Sequence, residues 1–240
     1  MKEIKFLAIA AMLLTFAACN KNDDGPNYQY YRATVTFRPQ SDGSYYLKED
    51  DKTALIITNE GWEKYPFEDG KEKRAYIEFG MDVTGQSSHK VEGYETTNDI
   101  LLYGLDTLST KNPEIFDPAK EEEYGNDMLG VYLTDDVFPT TYIEDGYLNL
   151  RFALPVGYRE VTHIITLLTG VDPDDPYKVV LRHNANGDGF ADTVDGLLNF
   201  PLKSLPDTKG EKVKLTLEWR SIVTGNKETA TFDYCTRTDW

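Results

Sequence analysis

The chain has 240 residues, 25 basic and 41 acidic side chains, and a formal net charge of −16. That acidity excludes nucleic acid, whose binders need a basic footprint, and excludes docking on anionic lipid through surface charge. There are only two cysteines, Cys19 and Cys235; one falls in the N-terminal region discussed next, so the folded part must be held by buried apolar area rather than by a disulfide.

The N-terminus reads as a signal peptide over 1–18. It opens with Lys2 and Lys5, runs apolar from Phe6, and ends in the small pair Ala17-Ala18 ahead of Cys19. The run stops short of the roughly 20 residues a membrane-spanning helix needs. A cysteine directly after the small pair resembles a lipobox, in which the thiol is acylated and Cys19 becomes the first mature residue. The competing reading is an ordinary secretory signal followed by a chance cysteine. Residues 19–28 form an acidic flexible tether. Its Asn20-Lys21-Asn22-Asp23-Asp24 resembles the export signal of surface lipoproteins of Bacteroidota. The anchor implies an outer-membrane protein held through Cys19, with its body facing the cell exterior.

From there the pattern is two-residue alternation, and sixteen Tyr and eleven Phe suit it. Ala33, Val35 and Phe37 share one face of a first strand, opposite Arg32, Thr34, Thr36 and Arg38. A turn at Ser41-Asp42-Gly43-Ser44 leads to short strands near 45–48 and 53–58. After Asp69-Gly70, a long strand aligns Ala75, Ile77, Phe79, Met81 and Val83, and segments near 90–96 and 100–109 close the block. Five or six strands in this span predict an OB-like β-barrel domain over 29–110. Residues 111–126 hold two prolines and an acidic run and read as a linker, with a short helix started by Asp117-Pro118. A second all-β block, near 128–134, 147–154, 161–169, 177–183, 197–202, 211–219 and 228–236, predicts an immunoglobulin-like β-sandwich over 127–240, without the Cys–Trp–Cys signature of antibody domains.

Several stretches resemble the NigD-like lipoproteins of Bacteroidota: Tyr45-Tyr46-Leu47, Gly146-Tyr147-Leu148-Asn149-Leu150-Arg151-Phe152, Arg182-His183-Asn184-Ala185-Asn186, and Gly196 through Leu205. The resemblance implies the same two-domain order, a barrel and then a sandwich. It implies a role near bacteriocin production or immunity, and it brings no catalytic residues with it.

Three constellations could carry chemistry. Asn184, Asn186, Asp188, Phe190 (through its carbonyl), Asp192 and Asp195 fall at calcium-loop spacing, with Gly189 at the position of the sharp turn and Gly187 beside it. The structural alternative is a hairpin loop whose Asn and Asp satisfy backbone groups. Trp62, Tyr65 and Phe67 form an aromatic loop suited to stacking on a sugar ring, or to plugging the barrel. His163 and His183 each sit on an apolar strand face and could meet only if their strands are neighbours. With His89 they show no zinc spacing. Cys235 reads as an inert thiol. No nucleophile elbow, phosphate loop or dinucleotide fingerprint is present. The preferred reading is a non-catalytic surface lipoprotein that binds or protects, needs no cofactor beyond a calcium ion at the 184–195 loop, and takes an extracellular protein or glycan as ligand. The alternatives are a glycan-binding accessory protein and a hydrolase using an unmarked carboxylate pair.

Overall fold

The computed structural model describes residues 27–40, 44–50, 52–62, 71–83, 87, 89–134, 140–157 and 160–240. It divides into two compact units, one ending at Leu108 and one beginning at Ser109. Cys19, Tyr65 and Phe67, with the turn residues Asp42 and Asp69, lie outside the described residues. Among the described residues no helix is long and apolar enough to cross a membrane.

The first unit is built from β1 (Tyr28–Pro39), β2 (Tyr45–Lys48), β3 (Thr53–Ile57), β4 (Lys73–Asp82) and β5 (Thr96–Thr107). These strands close into a barrel in the order β1-β2-β3-β5-β4. The pairs are antiparallel except β3 with β5, which run parallel. The alternation predicts a small barrel, and a five-stranded one is present; closure leaves it without a free sheet edge. Val35, Phe37, Leu47, Leu55, Ala75, Ile77, Phe79 and Ile100 fill it. Val83, expected on the same face, lies past the end of β4 and is exposed. In β5 the register slips from Glu78↔Gly104 to Phe79↔Leu102, so Tyr103 is the extra residue of a β-bulge.

The second unit is a sandwich. Its strands are β6 (Glu114–Ile115), β7 (Gly130–Val131), β8 (Tyr142–Glu144), β9 (Tyr147–Val156), β10 (Ile164–Thr169), β11 (Lys178–Asn184), β12 (Asp192–Pro201), β13 (Val213–Arg220) and β14 (Lys227–Tyr234). One sheet runs β14-β13-β11-β10-β6; the other runs β12-β9-β7, with β8 paired to β9. Since β12 lies in the second sheet, the chain leaves the first after β11 and returns to it in β13, which therefore runs parallel to β11. The core takes Leu148, Leu150 and Phe200 from one sheet and Leu167, Leu181, Leu215, Leu217 and Trp219 from the other. The parity read from sequence for β9, β13 and β14 is the one that points inward.

Sequence alternation misses β8, which is only three residues long. It forms a tight hairpin with β9 across Asp145-Gly146, whose φ values of 49° and 74° make the left-handed pair a two-residue turn requires. Gly146 is needed twice there. A Cβ would also press on the Trp240 ring and on Arg237, which folds back to place its guanidinium 3.5 Å from the buried Asp145 carboxylate.

The expected linker over 111–126 is corrected: it is the first part of the sandwich. β6 pairs in parallel with the end of β10, and the Phe116 N–H donates to the Thr169 carbonyl at 2.9 Å. Asp117 accepts from the Ala119 N–H and starts a 3-10 turn (Pro118–Lys120) that leads into α1 (Glu121–Tyr124). Tyr124 is buried and closes a small apolar cluster with Leu168 and Val180 on the outer side of the sheet. The prolines and acidic run face solvent, so this segment looks like a linker, although its backbone is already in the sheet. Tyr124→Ala is expected to cost about 2–4 kcal/mol of sandwich stability in chemical denaturation, as removal of a buried ring does. A linker residue would cost under about 0.5 kcal/mol.

Candidate functional site

Strands β10 and β11 are antiparallel neighbours, with His183 opposite Ile165. That pairing brings His163, just ahead of β10, over His183. Their rings lie 5.1 Å apart and nearly parallel, and His163 Nδ1 is 2.9 Å from His183 Nε2. The arrangement continues at both ends. His183 Nδ1 lies 2.9 Å from the Met128 carbonyl, and His163 Nε2 lies 3.2 Å from Asp188 Oδ2. Asp188 also accepts from the Gly157 N–H at 2.6 Å and from the Gly189 N–H at 2.9 Å. Gly157 is required, because a Cβ there would overlap the Asp188 carboxylate.

The bonds fix the order of protons. A carbonyl only accepts, so His183 Nδ1 carries a hydrogen. Burial, the dominant cause, holds the His183 pKa below its ordinary value, and its bond to Met128 opposes this only in part. A neutral His183 leaves Nε2 as an acceptor, and His163 Nδ1 supplies the hydrogen between the rings. His163 Nε2 then faces the Asp188 carboxylate, which can only accept. The Asp188 pKa is held below the ordinary range, first by the Gly157 N–H and then by His163 and the Gly189 N–H. The result is a proton-ordered relay running from the Asp188 loop through both rings to the segment entering β7. Among the described residues no hydroxyl or thiol bonds either imidazole, and no group of three or more His, Cys, Asp or Glu is placed to hold a metal ion. The relay ties the end of β9 in one sheet to β10 and β11 in the other.

The calcium-loop expectation is corrected by the same geometry. Asp192 and Asp195 lie on β12, three residues apart. They are therefore on opposite faces and about 10 Å from each other along the strand. Asp195 accepts from the Tyr132 hydroxyl and pairs with Arg151. Asp188 points into the relay. Asn184 accepts from the Asn186 N–H and donates to the Glu123 carbonyl, and Asn186 donates to the Thr162 carbonyl. Phe190 is exposed. The oxygens that would have to converge are committed to separate partners.

Trp62 is half-buried against the barrel core, 6.4 Å from the Phe37 ring and 6.3 Å from that of Tyr45. It plugs the barrel rather than displaying a flat face. His89 Nδ1 lies 2.8 Å from Asp99 Oδ1 within the first unit. The exposed Cys235 thiol accepts from the Thr208 hydroxyl at 3.6 Å. Of the carboxylates, Glu78 pairs with Arg32, and Glu218 pairs with Lys178 and Lys227. Lys178, Lys227 and Glu218 border a shallow cavity of about 160 Å³ over Phe116, Leu168 and Val180, and the two lysines pair with Glu218 across it.

A family model for the NigD-like C-terminal β-sandwich domain matches residues 112–234, just over half of the chain. The chain belongs to the NigD-like family. The match begins at the segment that pairs as β6, in agreement with its place in the sandwich. Among solved structures, a protein named as toxin-related from Parabacteroides distasonis is 28% identical. It covers 87% of this chain and 94% of its own, with a TM-score of 0.67. A NigD-like immunity protein from Bacteroides caccae is 20% identical, with 85% and 96% covered and a TM-score of 0.60, which shows the shared fold. A comparison with curated proteins returned no match. Within this NigD-like sandwich, the relay was legible in sequence only as two histidines of matching parity; their strand adjacency was the missing fact.

The relay sets a pH dependence. The His183 pKa is lower in the folded than in the unfolded chain, so its contribution is fully present above about pH 6.5 and fades as pH falls, because the unfolded chain then binds the extra proton. Asp188 adds a second loss at more acidic pH, below its ordinary value of 3.8, as its depressed folded pKa is approached. Thermal unfolding should fall from pH 7 to pH 5 in the native chain and be flatter over that window in His183→Gln. Equal slopes would remove His183 as the cause.

Proposed function

We propose that this NigD-like protein is a lipid-anchored, non-catalytic binding protein of the outer membrane. Its body faces the cell exterior, where it acts protectively toward a toxin or a related external protein. The observation that carries the reading is the likeness to the toxin-related Parabacteroides protein, which extends over both units and 94% of that chain. The Ala17-Ala18-Cys19 junction supports the anchor, and the Asp23-Asp24 tether supports outward display. A net charge of −16 keeps the body off the anionic surface that holds it and favours a basic or neutral partner. The relay supports a binding role rather than a reaction, since its imidazoles are spent on a carbonyl, each other and a carboxylate.

Protease treatment of intact cells tests the anchor and the orientation together. The native protein should be membrane-bound and removed by external protease, and Cys19→Ala should be soluble in the periplasm and protected. A native protein that stays membrane-bound but resists protease would overturn outward display and, with it, surface protection.

A further inference from the structure

On the outer face of the barrel, Tyr30 of β1 and Tyr103 of β5 lie on either side of Gly80 of β4. Tyr30 is directly opposite Gly80, and Leu101 is the β5 residue paired to it. The two rings are 6.3 Å apart and within 6° of parallel. Both are open to solvent, Tyr30 at 36% and Tyr103 at 55%, and Tyr28 continues the exposed row at 43%. Two local devices produce this. The bulge in β5 puts Tyr103 on the outer face as an extra residue, and bulges characteristically re-aim a side chain in this way. Gly80 clears the space, since a Cβ there would overlap the Tyr103 hydroxyl. A glycine inside a strand and a break in the ladder both cost stability. Here neither buries anything, because Tyr103 stays exposed. The neighbouring polar groups hold the surface in place. Arg32 Nε donates to the Tyr30 hydroxyl at 3.1 Å, the guanidinium lies 5.5 Å from that ring's centre, and Glu78 pairs with Arg32 at 2.9 Å.

We infer that Tyr30 and Tyr103, flanked by Arg32 and Glu78 and laid over Gly80, form a stacking platform for a neutral pyranose unit of a glycan. A pyranose offers an apolar C–H face that matches aromatic rings and a rim of hydroxyls that both donate and accept. Arg32 can only donate and Glu78 can only accept, which serves both halves of a hydroxyl. Arg32 is already neutralised by Glu78, and the chain is strongly acidic, so the ligand is a neutral sugar rather than an acidic one. Arg32 holds the Tyr30 ring before binding, which lowers the ordering cost. The site is separate from Trp62 and does not depend on the protective role.

The test is calorimetric titration of the detergent-solubilised full chain with cellotetraose, mannotetraose, maltotetraose and laminaritetraose. At least one is expected to bind. Tyr103→Ala should weaken that binding by about tenfold or more. Gly80→Ala should weaken it too, by displacing the Tyr103 ring while leaving every aromatic in the chain, whereas Tyr103→Phe and Phe190→Ala should bind as the native protein does. Failure of all four sugars to bind overturns the inference. So does undiminished binding in Tyr103→Ala and Gly80→Ala, and so does a loss in Tyr103→Phe equal to that in Tyr103→Ala. None of these results bears on surface display, and the protease experiment does not bear on the platform.

Discussion

Each long strand has an apolar face that must be hidden, and with one cysteine left after Cys19 no intramolecular disulfide is available to replace that burial. Everything else in the architecture answers to this one-sided burial. In the first unit a single sheet hides its face by closing on itself, so Val35, Phe37, Ile77 and Ile100 point into a barrel. In the second, two sheets hide theirs against each other, and Leu148, Phe200, Leu217 and Trp219 meet in the gap. Both solutions leave the opposite face wet.

Two polar clusters that enter the interior of the sandwich are closed by pairing. Asp188, His163 and His183 form one chain of bonds ending on the Met128 carbonyl, and Asp145 faces Arg237 with both side chains almost fully buried. Buried charge is costly unless paired and hydrogen-bonded, so such clusters fix register and position more than they add stability. Their locations fit that role. The relay holds the loop between β11 and β12 against the end of β9, and the Asp145–Arg237 pair holds the C-terminal tail against the β8–β9 hairpin. The relay also makes the sandwich sensitive to acid, because a neutral buried imidazole gives the unfolded chain the advantage in binding protons.

The aromatic residues show how parity divides structural from surface roles. Trp62, read as suited either to sugar stacking or to plugging the barrel, packs on Phe37 and Tyr45. Tyr30 and Tyr103, by contrast, lie on strands and are left in solvent. Folding consumes the dry faces, so an aromatic face open to contact can lie only on the wet side.

Much of the fold was legible in the sequence. Alternation through Ala33–Phe37, Ala75–Met81 and Val213–Trp219 determined which residues face inward, because a strand's side chains can only alternate. What only the tertiary structure decided were facts of adjacency. The run over 111–126 became a sheet strand and a helical turn because the end of β10 was open beside it. Asp192 and Asp195 left the imagined calcium loop because they paired into β12. His163 and His183 met because β10 and β11 are neighbours. A one-residue bulge turned Tyr103 outward across Gly80. Periodicity along one chain carries the face of each strand, but which strand lies beside which is settled by long-range pairing that no local pattern encodes.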